Sequence, residues 1–210
     1  MKADARSFPG IILCGGQSRR MGSAKALEPF GKGRLLDHVA NRIAPQVGLL
    51  MLNANDPAIG LPGVMAFADR IGGFSGPLAG IEAGLAMAAS HCPEASHALF
   101  VPVDCPFLPP DLASRLAASL ESDADVALAA SGGQRHPVIG LWPISVADRL
   151  ASWLAGGGSL KVDDFLATCK VRTIAFADIA SPDGPLDPFF NINTRQDLAY
   201  ARIRLTGMEP

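Results

Sequence analysis

The sequence predicts an α/β fold in which helices cover both faces of one mostly parallel sheet, giving three layers. Short apolar runs alternate along the chain with longer helical patterns, which is typical of parallel strands joined by crossover helices. The early runs are continuously apolar, as strands buried on both faces should be. The chain has 210 residues and neither an internal repeat nor a low-complexity linker. It is therefore predicted to form a single domain, residues 1–210.

The first half of the chain is predicted to form three strands and two helices. The strands cover Ile11–Leu13, Leu49–Leu52 and Val64–Ala68. The helices cover Leu35–Val47, with its apolar residues at helical spacing, and the alanine-rich segment Pro77–Ala89. Three glycines recur every four residues on one face at the second helix: Gly76, Gly80 and Gly84. That face can pack closely on the sheet or approach a ligand.

The second half is predicted to continue the alternation. Its strands cover His97–Val103, Val126–Ala129, Val138–Trp142 and Val171–Phe176. Its helices cover Pro110–Leu120, Ser145–Leu154 and Leu160–Thr168. Thr194 can cap a closing helix that runs to about Arg204. Residues 181–188 are rich in proline and aspartate and predict a surface loop.

The composition excludes several classes of protein. A hydrophobic share of 49% excludes disorder as the main state. The net charge of −2, from 18 basic and 20 acidic residues, leaves no electrostatic footprint for nucleic acid or an anionic membrane. This modest charge also favours a monomer. There is no apolar run long enough to span a membrane, and Met1–Phe8 is polar, so a cytoplasmic location is expected.

The four cysteines are predicted to be free thiols. They stand at positions 14, 92, 105 and 169, and no pair has Cys-x-x-Cys spacing. A chain of this size without a signal peptide rarely relies on disulfides.

The most informative segment is the loop from Leu13 to Lys25, which directly follows the first predicted strand. Ligands of open α/β sheets bind at the carboxyl ends of strands. The three glycines of the loop let its backbone approach a ligand, and successive N–H groups can cradle phosphate oxygens. Its three cations suit a polyphosphate: Arg19, Arg20 and Lys25. Ala24 before Lys25 excludes the P-loop pattern, and no Gly-x-Gly-x-x-Gly fingerprint is present.

This loop resembles the signature of the molybdenum cofactor guanylyltransferases. It contains Leu-x-Gly-Gly-x-Ser-Arg-Arg-Met-Gly-x-x-Lys. Four further motifs are similar to the family's and follow in its order: Gly76–Ile81, Pro102–Leu108, His136–Val138 with Gly140–Trp142, and Asn191–Thr194 with Asp197–Leu198. The similarity thus runs from about residue 9 to residue 200. Cys14 stands where the family usually has alanine, and Gly33 where it usually has proline.

The resemblance implies a Rossmann-like nucleotidyltransferase fold and a reaction. GMP would pass from GTP to the terminal phosphate of molybdenum-bound molybdopterin, with pyrophosphate leaving. The resemblance further implies Mg²⁺ as cofactor. It also implies transient contacts with molybdenum cofactor biosynthesis proteins and with the molybdoenzymes, or their chaperones, that receive the product. The second pKa of a terminal phosphate is about 6, so this nucleophile needs no general base.

Asp104 is the predicted metal ligand. It follows an apolar run that reads as a central strand, and Mg²⁺ prefers one or two carboxylates together with phosphate oxygens. We expect Arg19, Lys25 and Asp104 to be the catalytic residues, acting by positioning and by charge.

The resemblance also assigns the substrates to particular residues. The nucleotide is assigned to Leu13, Cys14, Gly15, Gly16, Lys25, Asn53, Asp69 and Asp104. The molybdopterin acceptor is assigned to Asn191 and Asn193. Plainer roles are open for several of them: Asn53 as a turn residue, Asp69 as an ion-pair partner of Arg70, and the two later asparagines as helix caps. His136 is placed near the acceptor, where a structural or substrate-shaping role is favoured over catalysis.

Three alternative functions stay open. A cytidylyltransferase could act on the same cofactor, although Gly15 and Gly16 favour the guanine enzyme because cytidylyl relatives typically carry Ala-Ala-Gly there. Sugar-phosphate nucleotidyltransferases usually have longer phosphate loops. A non-catalytic carrier of nucleotide or molybdopterin would not need a metal ligand such as Asp104 beside Lys25.

Overall fold

The computed structural model describes residues 8–15, 24–71, 76–121 and 125–206. Within these ranges the strands are β1 (Pro9–Leu13), β2 (Pro29–Phe30), β3 (Gly33–Arg34), β4 (Leu49–Asn53), β5 (Met65–Phe67), β6 (His97–Pro102), β7 (Asp125–Ser131), β8 (Gln134–Pro143) and β9 (Lys170–Ala175). Seven of them form one sheet in the order β5-β4-β1-β6-β8-β7-β9. Outside the described residues lie three residues of the predicted phosphate-binding loop: Gly16, Arg19 and Arg20.

The sheet is mostly parallel, as predicted. β1 pairs in parallel with both β4 and β6, β4 with β5, and β7 with β9. Only β8 runs against its neighbours in this sheet, pairing antiparallel with β6 and β7.

The described helices are α1 (Leu35–Ile43), α2 (Pro77–His91), α3 (Leu112–Ala118), α4 (Ala147–Ala155), α5 (Val162–Leu166) and α6 (Arg195–Thr206). Across the part of the chain that the structure describes, no helix combines the length and the apolar character needed to cross a membrane.

The core lies on both faces of the sheet, which confirms the three layers. Successive side chains of a strand point to opposite faces. Ile12 of β1 accordingly packs with α1 and α3, and Ile11 and Leu13 pack with α2, α4 and α5. A third, smaller cluster joins α6 to the hairpin formed by β2 and β3, through buried residues such as Phe30 and Leu198.

Two glycines of α2 let this helix lie directly on the sheet. A Cβ atom at Gly84 would stand 2.5 Å from the Phe100 ring, and one at Gly80 would stand 2.4 Å from the Asn53 side-chain oxygen. The predicted close packing of this helix face is therefore confirmed.

Several predicted elements differ from the structure in length. The first helix ends at Ile43, because Pro45 lies in a following 3-10 turn and has no N–H to continue an α-helix. The helix predicted over Leu160–Thr168 covers only Val162–Leu166. Strand β8 begins at Gln134, four residues before the predicted start.

The β2–β3 hairpin was not predicted at all. Its strands have two residues each, too few to show a pattern, and Gly31 makes the turn with a φ of 58°.

The parallel order of β5, β4, β1 and β6 positions the candidate site. Since parallel strands end at the same edge of a sheet, the residues at or just after their carboxyl ends lie along one line. In sheet order these are Asp69, Asn53, Cys14 and Asp104.

Candidate active site

The backbone that leaves β1 is held between the ends of its two neighbours. The Cys14 N–H donates to the Asn53 carbonyl oxygen at 2.8 Å, and the Val103 N–H donates to the Leu13 carbonyl oxygen at 3.0 Å. Leu13 is buried, Cys14 is half-buried and Gly15 is exposed. The predicted phosphate loop therefore starts from a fixed position at the carboxyl edge of the sheet.

Lys25 joins three distant parts of the chain at this edge. Its Nζ lies 3.0 Å from Asp104 Oδ2 and 3.3 Å from Asn193 Oδ1. The side chains of Lys25 and Asp104 are only 17% and 18% exposed, so the ion pair is partly shielded from water. Three predicted site residues, separated by as many as 168 positions, thus meet in one cluster.

Asp104 is itself anchored by the C-terminal segment. The Ile192 N–H donates to the Asp104 carbonyl oxygen at 2.9 Å, which ties the start of that segment to the end of β6.

Thr194 caps α6, which leaves the Asn193 side chain free to face Lys25. The Asp197 N–H donates to Thr194 Oγ1 at 3.1 Å, and Asp197 Oδ2 accepts from the backbone N–H groups of Asn193 and Thr194. Burial pushes the pKa of Asp197 up, but these donors and the Lys25 charge outweigh it and hold that pKa below its usual value. The predicted cap at Thr194 is confirmed.

Asn191 is exposed, and the structure shows no hydrogen bond between its side chain and Lys25, Asp104 or Asn193. Its assignment to the acceptor stays a prediction.

A second polar cluster lies at the ends of β4 and β5. Asn53 Nδ2 donates to Asp69 Oδ1 at 2.9 Å, and Asn55 Nδ2 donates to Asp69 Oδ2 at 2.8 Å. The Asp69 N–H donates in turn to Asn55 Oδ1 at 2.8 Å. Asn53 is buried, so it is more than a turn residue, and its side-chain oxygen faces the backbone at Gly80. The two amides orient the Asp69 carboxylate and leave it capacity to accept further hydrogen bonds.

The alternative pairing of Asp69 with Arg70 is wrong. Arg70 Nη2 lies instead 3.6 Å from Glu82 Oε1 on α2. Sequence reasoning also missed Asn55, which binds Asp69 together with Asn53. The available signal was the Asn-x-Asn spacing at the end of a strand, which sets two amides on the same side.

The cysteines near the site are unreactive thiols. Burial, reinforced by the nearby Asp104 charge, raises the pKa of Cys14 to about 12. Burial also raises the pKa of Cys105 well above its usual value, and its thiol donates to the Phe189 carbonyl oxygen at 3.5 Å. Both therefore stay protonated near neutrality and are poor nucleophiles. All four cysteines are free, as predicted.

His136 is held by structural contacts. Its Nε2 lies 2.8 Å from Ser131 Oγ, and its ring packs 4.8 Å from the Phe189 ring. Burial lowers the pKa of His136 against the opposing charge of Asp187, which favours the neutral ring. These contacts favour the structural role over a catalytic one.

The oxygen atoms around Asp104 suit a hard cation such as Mg²⁺. The Asp104 carboxylate and the Asn193 amide oxygen both point to the Lys25 ammonium, and both are ligands that Mg²⁺ accepts. Within the described ranges no group of three or more His, Cys, Asp or Glu side chains could enclose a metal.

Comparisons with known proteins identify the family of this chain. A family model described as the MobA-like NTP transferase domain matches residues 10–169. A molybdenum cofactor guanylyltransferase of Bradyrhizobium sp. (strain ORS 278) is 49% identical over 207 residues, which cover 97% of this chain and 95% of that protein.

Solved structures share the fold. Molybdopterin-guanine dinucleotide biosynthesis protein A from Archaeoglobus fulgidus matches with a TM-score of 0.69 at 20% identity, covering 95% of this chain and 99% of that one. The Rv0371C protein from Mycobacterium tuberculosis H37Rv, whose structure is a complex with manganese, matches with a TM-score of 0.65 at 17% identity, covering 93% and 97%. At these identities the likeness supports the fold alone.

The family match and the near-complete alignment with a close relative confirm the resemblance seen in the five motifs. The chain belongs to the MobA-like NTP transferase family and, within it, to the molybdenum cofactor guanylyltransferases.

Proposed function

We propose that this chain transfers GMP from GTP to the terminal phosphate of molybdopterin, which releases pyrophosphate and forms the molybdopterin guanine dinucleotide cofactor. The observation that carries the proposal is the contact of Lys25 with both Asp104 and Asn193. This contact brings together the end of the phosphate loop, the end of β6 and the segment assigned to the acceptor. The name of the close relative supports guanine rather than cytosine as the transferred base.

The phosphates of GTP would bind where the loop leaves β1. The backbone of Leu13, Cys14 and Gly15 begins the loop, and we expect Gly16 and Arg19 to continue the binding site. Lys25 carries three N–H donors, of which Asp104 and Asn193 take two. The remaining donor can hold a phosphate oxygen without breaking the existing contacts.

Asp104 would hold the metal, with Asn193 beside it. Mg²⁺ bound there would neutralise charge on the α-phosphate and on the departing pyrophosphate. Asp104 also orients the Lys25 ammonium, so the two side chains form one electrostatic unit facing the reacting phosphates. Catalysis then consists mainly of positioning and charge stabilisation.

The nucleoside would lie towards β4 and β5. Asp69 accepts hydrogen bonds from Asn53 and Asn55 and keeps further lone pairs for the donor groups of guanine or ribose. The acceptor would approach from the side of Asn191 and Asn193, so that its terminal phosphate reaches the α-phosphate beside Lys25.

Transient contacts with other molybdenum cofactor biosynthesis proteins, with recipient molybdoenzymes or with their chaperones remain predictions, as do the monomeric state and the cytoplasmic location.

Pyrophosphate release tests the proposal. The protein is incubated with Mg²⁺ and molybdopterin together with GTP, CTP, ATP or UTP, one at a time. We expect release with GTP. Release with CTP alone would support the cytidylyl alternative, and the absence of release despite GTP binding would support the carrier. Repeating the GTP reaction with Mn²⁺ or with no divalent cation tests the choice of metal.

A further inference from the structure

Glu82 is a buried carboxylate that the proposed mechanism does not use. It lies on α2, and its side chain is only 2% exposed. Among the residues that the structure describes, its Oε2 has no hydrogen-bond partner, and its one ionic contact is the 3.6 Å approach of Arg70, whose side chain is 57% exposed. Burial raises the pKa of Glu82, the charge of Arg70 opposes this rise, and the charge of Asp69 adds to it.

Such a buried carboxylate destabilises the folded state, so stability alone does not explain its presence. A buried carboxylate loses much of its hydration, and an ion pair with a half-exposed partner recovers little of that loss. The neighbours of Glu82 one turn away on the helix, Leu78 and Leu85, belong to the apolar core. A leucine at position 82 would suit this environment better, so the carboxylate calls for another explanation.

The position of Arg70 suggests an explanation for the buried carboxylate of Glu82. Arg70 directly follows Asp69, the carboxylate that we assign to the nucleoside, and the Asp69 charge contributes to the raised pKa of Glu82. Both carboxylates can attract the Arg70 guanidinium. An arginine paired with Asp69 would occupy the lone pairs that a nucleotide needs, whereas the structure pairs it with Glu82.

We propose that Glu82 is a positioning residue for nucleotide binding, which holds Arg70 away from Asp69 and keeps the Asp69 carboxylate available to the donor groups of GTP. This inference rests on the proposed binding of the nucleoside at Asp69. Glu82 itself does not contact the substrate. Its action passes through Arg70, and the phosphate end at Lys25 and Asp104 is not involved.

Two variants test the proposal through GTP affinity. In Glu82→Gln the guanidinium loses its charged partner and turns to Asp69, so the Kd for GTP should rise about tenfold, the value of one hydrogen bond to a charged group. The KM for GTP should rise with it, and kcat should change little. Adding Arg70→Gln removes the competing cation, so the double variant should recover most of the lost affinity.

The measurement is calorimetric titration of the whole protein with GTP and Mg²⁺, accompanied by thermal unfolding of each variant. Arg135→Gln, which breaks the exposed pair with Asp163 elsewhere on the surface, is the matched control and should bind GTP as the native protein does. The melting temperature of Glu82→Gln should be equal to the native value or higher. A purely structural pair would instead lower it.

The outcomes separate this inference from the proposed function. Native affinity in Glu82→Gln, or a double variant as weak as the single one, would overturn the role of Glu82 whatever the activity. Tight GTP binding by the native protein without pyrophosphate release would overturn the proposed reaction and leave the affinity pattern as a valid test of Glu82.

Discussion

At the scale of single residues, the centre of the candidate site is the Lys25 ammonium group, which contacts side-chain oxygen atoms of Asp104 and Asn193. The ion pair between Lys25 and Asp104 is partly shielded from water, which strengthens electrostatic interactions at the point where we propose that the phosphates bind. The reaction brings two polyanions together, so this charge compensation matters more than proton transfer.

Removing either partner of the ion pair should slow the reaction strongly. We expect Lys25→Ala and Asp104→Ala each to raise the barrier by about 3 kcal/mol or more, which is a rate loss of about a hundredfold or greater. The initial rate of pyrophosphate release at saturating GTP measures the effect. Lys161→Ala, at an exposed lysine, is the control and should keep the native rate. Near-native turnover in either site variant would contradict the assigned roles.

The sequence allowed most of these residues to be named, because they stand in motifs with family counterparts. Lys25, Asp104 and Asn193 meet as the resemblance implies. Asn55 and Glu82 could not be found this way, since their importance depends on contacts between segments, with Asp69 in one case and with Arg70 in the other. Neighbouring charges in a sequence suggested a pair between Asp69 and Arg70, and only the fold shows that α2 offers Arg70 another partner.

At the scale of elements, α2 presents Gly80 to Asn53 at the end of β4. A Cβ atom at Gly80 would stand 2.4 Å from Asn53 Oδ1, so the buried amide that orients Asp69 would have to move.

Gly80→Ala should therefore weaken GTP binding. We expect the KM for GTP to rise about tenfold or more, because displacing Asn53 removes a hydrogen bond to the Asp69 carboxylate. Steady-state kinetics with GTP as the varied substrate measures it. Gly60→Ala is the control, since no atom lies within 4 Å of the added Cβ. An unchanged KM in Gly80→Ala would mean that Asn53 is not part of the nucleotide site.

The start of α6 is a second element whose geometry serves the site. Asp197→Ala removes the acceptor of two backbone N–H groups, so it should lower the free energy of unfolding by about 1 kcal/mol at neutral pH. The folded-state pKa of Asp197 lies below the unfolded value of about 3.9, so the stabilisation is present above that pH. It is lost as the pH falls through the folded-state pKa.

Urea unfolding of native and variant protein between neutral and acidic pH checks this prediction. The difference between the two should shrink in acid. A difference that stays constant over the whole range would contradict the role of the Asp197 charge. Glu94→Gln, at an exposed carboxylate, is the control.

Elements with strong patterns were predictable and short ones were not. The apolar runs of β1, β4 and β6 and the alanine-rich sequence of α2 were sufficient to place them within a few residues. The hairpin of β2 and β3 has only two residues in each strand, too few to show a hydrophobic pattern. Strand β8 starts with polar residues after a turn at Gly132 and Gly133, so hydrophobic periodicity does not reveal its start.

At the scale of the whole molecule, the C-terminal helix is joined to the rest by its own apolar cluster. Buried residues of α6 pack with Phe30 of the hairpin and with Phe107, which follows β6. The buried Arg204 adds hydrogen bonds to the carbonyl oxygens of Asp183, Gly184 and Pro185. This cluster fixes the segment that carries Asn193 against the sheet edge.

Leu198→Ala should loosen that attachment. Leu198 is 2% exposed, so the cavity should lower the free energy of unfolding by about 2–5 kcal/mol. Urea denaturation measures the change. Ile203→Ala lies on the same helix but at a position that is 65% exposed, so it should change stability by no more than about 0.5 kcal/mol. Equal effects of the two substitutions would contradict the burial of this helix face.

The global arrangement was predictable only in part. Alternating elements predicted an α/β fold with a mostly parallel sheet, and the structure has that sheet. The reversed direction of β8 was not predicted, because its polar start at Gln134 was not recognised as strand, so Gly132 and Gly133 were not read as a hairpin turn. The strand order, which brings Lys25 to a residue 168 positions away, depends on long-range pairing that no local pattern encodes.

The most direct test of the central claim is a competition experiment with one readout. The native protein is incubated with Mg²⁺, molybdopterin and equal amounts of GTP and CTP, and the mass of the pterin product is measured. Guanylyl transfer at the carboxyl edge of the sheet predicts the mass of the guanine dinucleotide. The mass of the cytosine dinucleotide, or of unchanged molybdopterin, would contradict it.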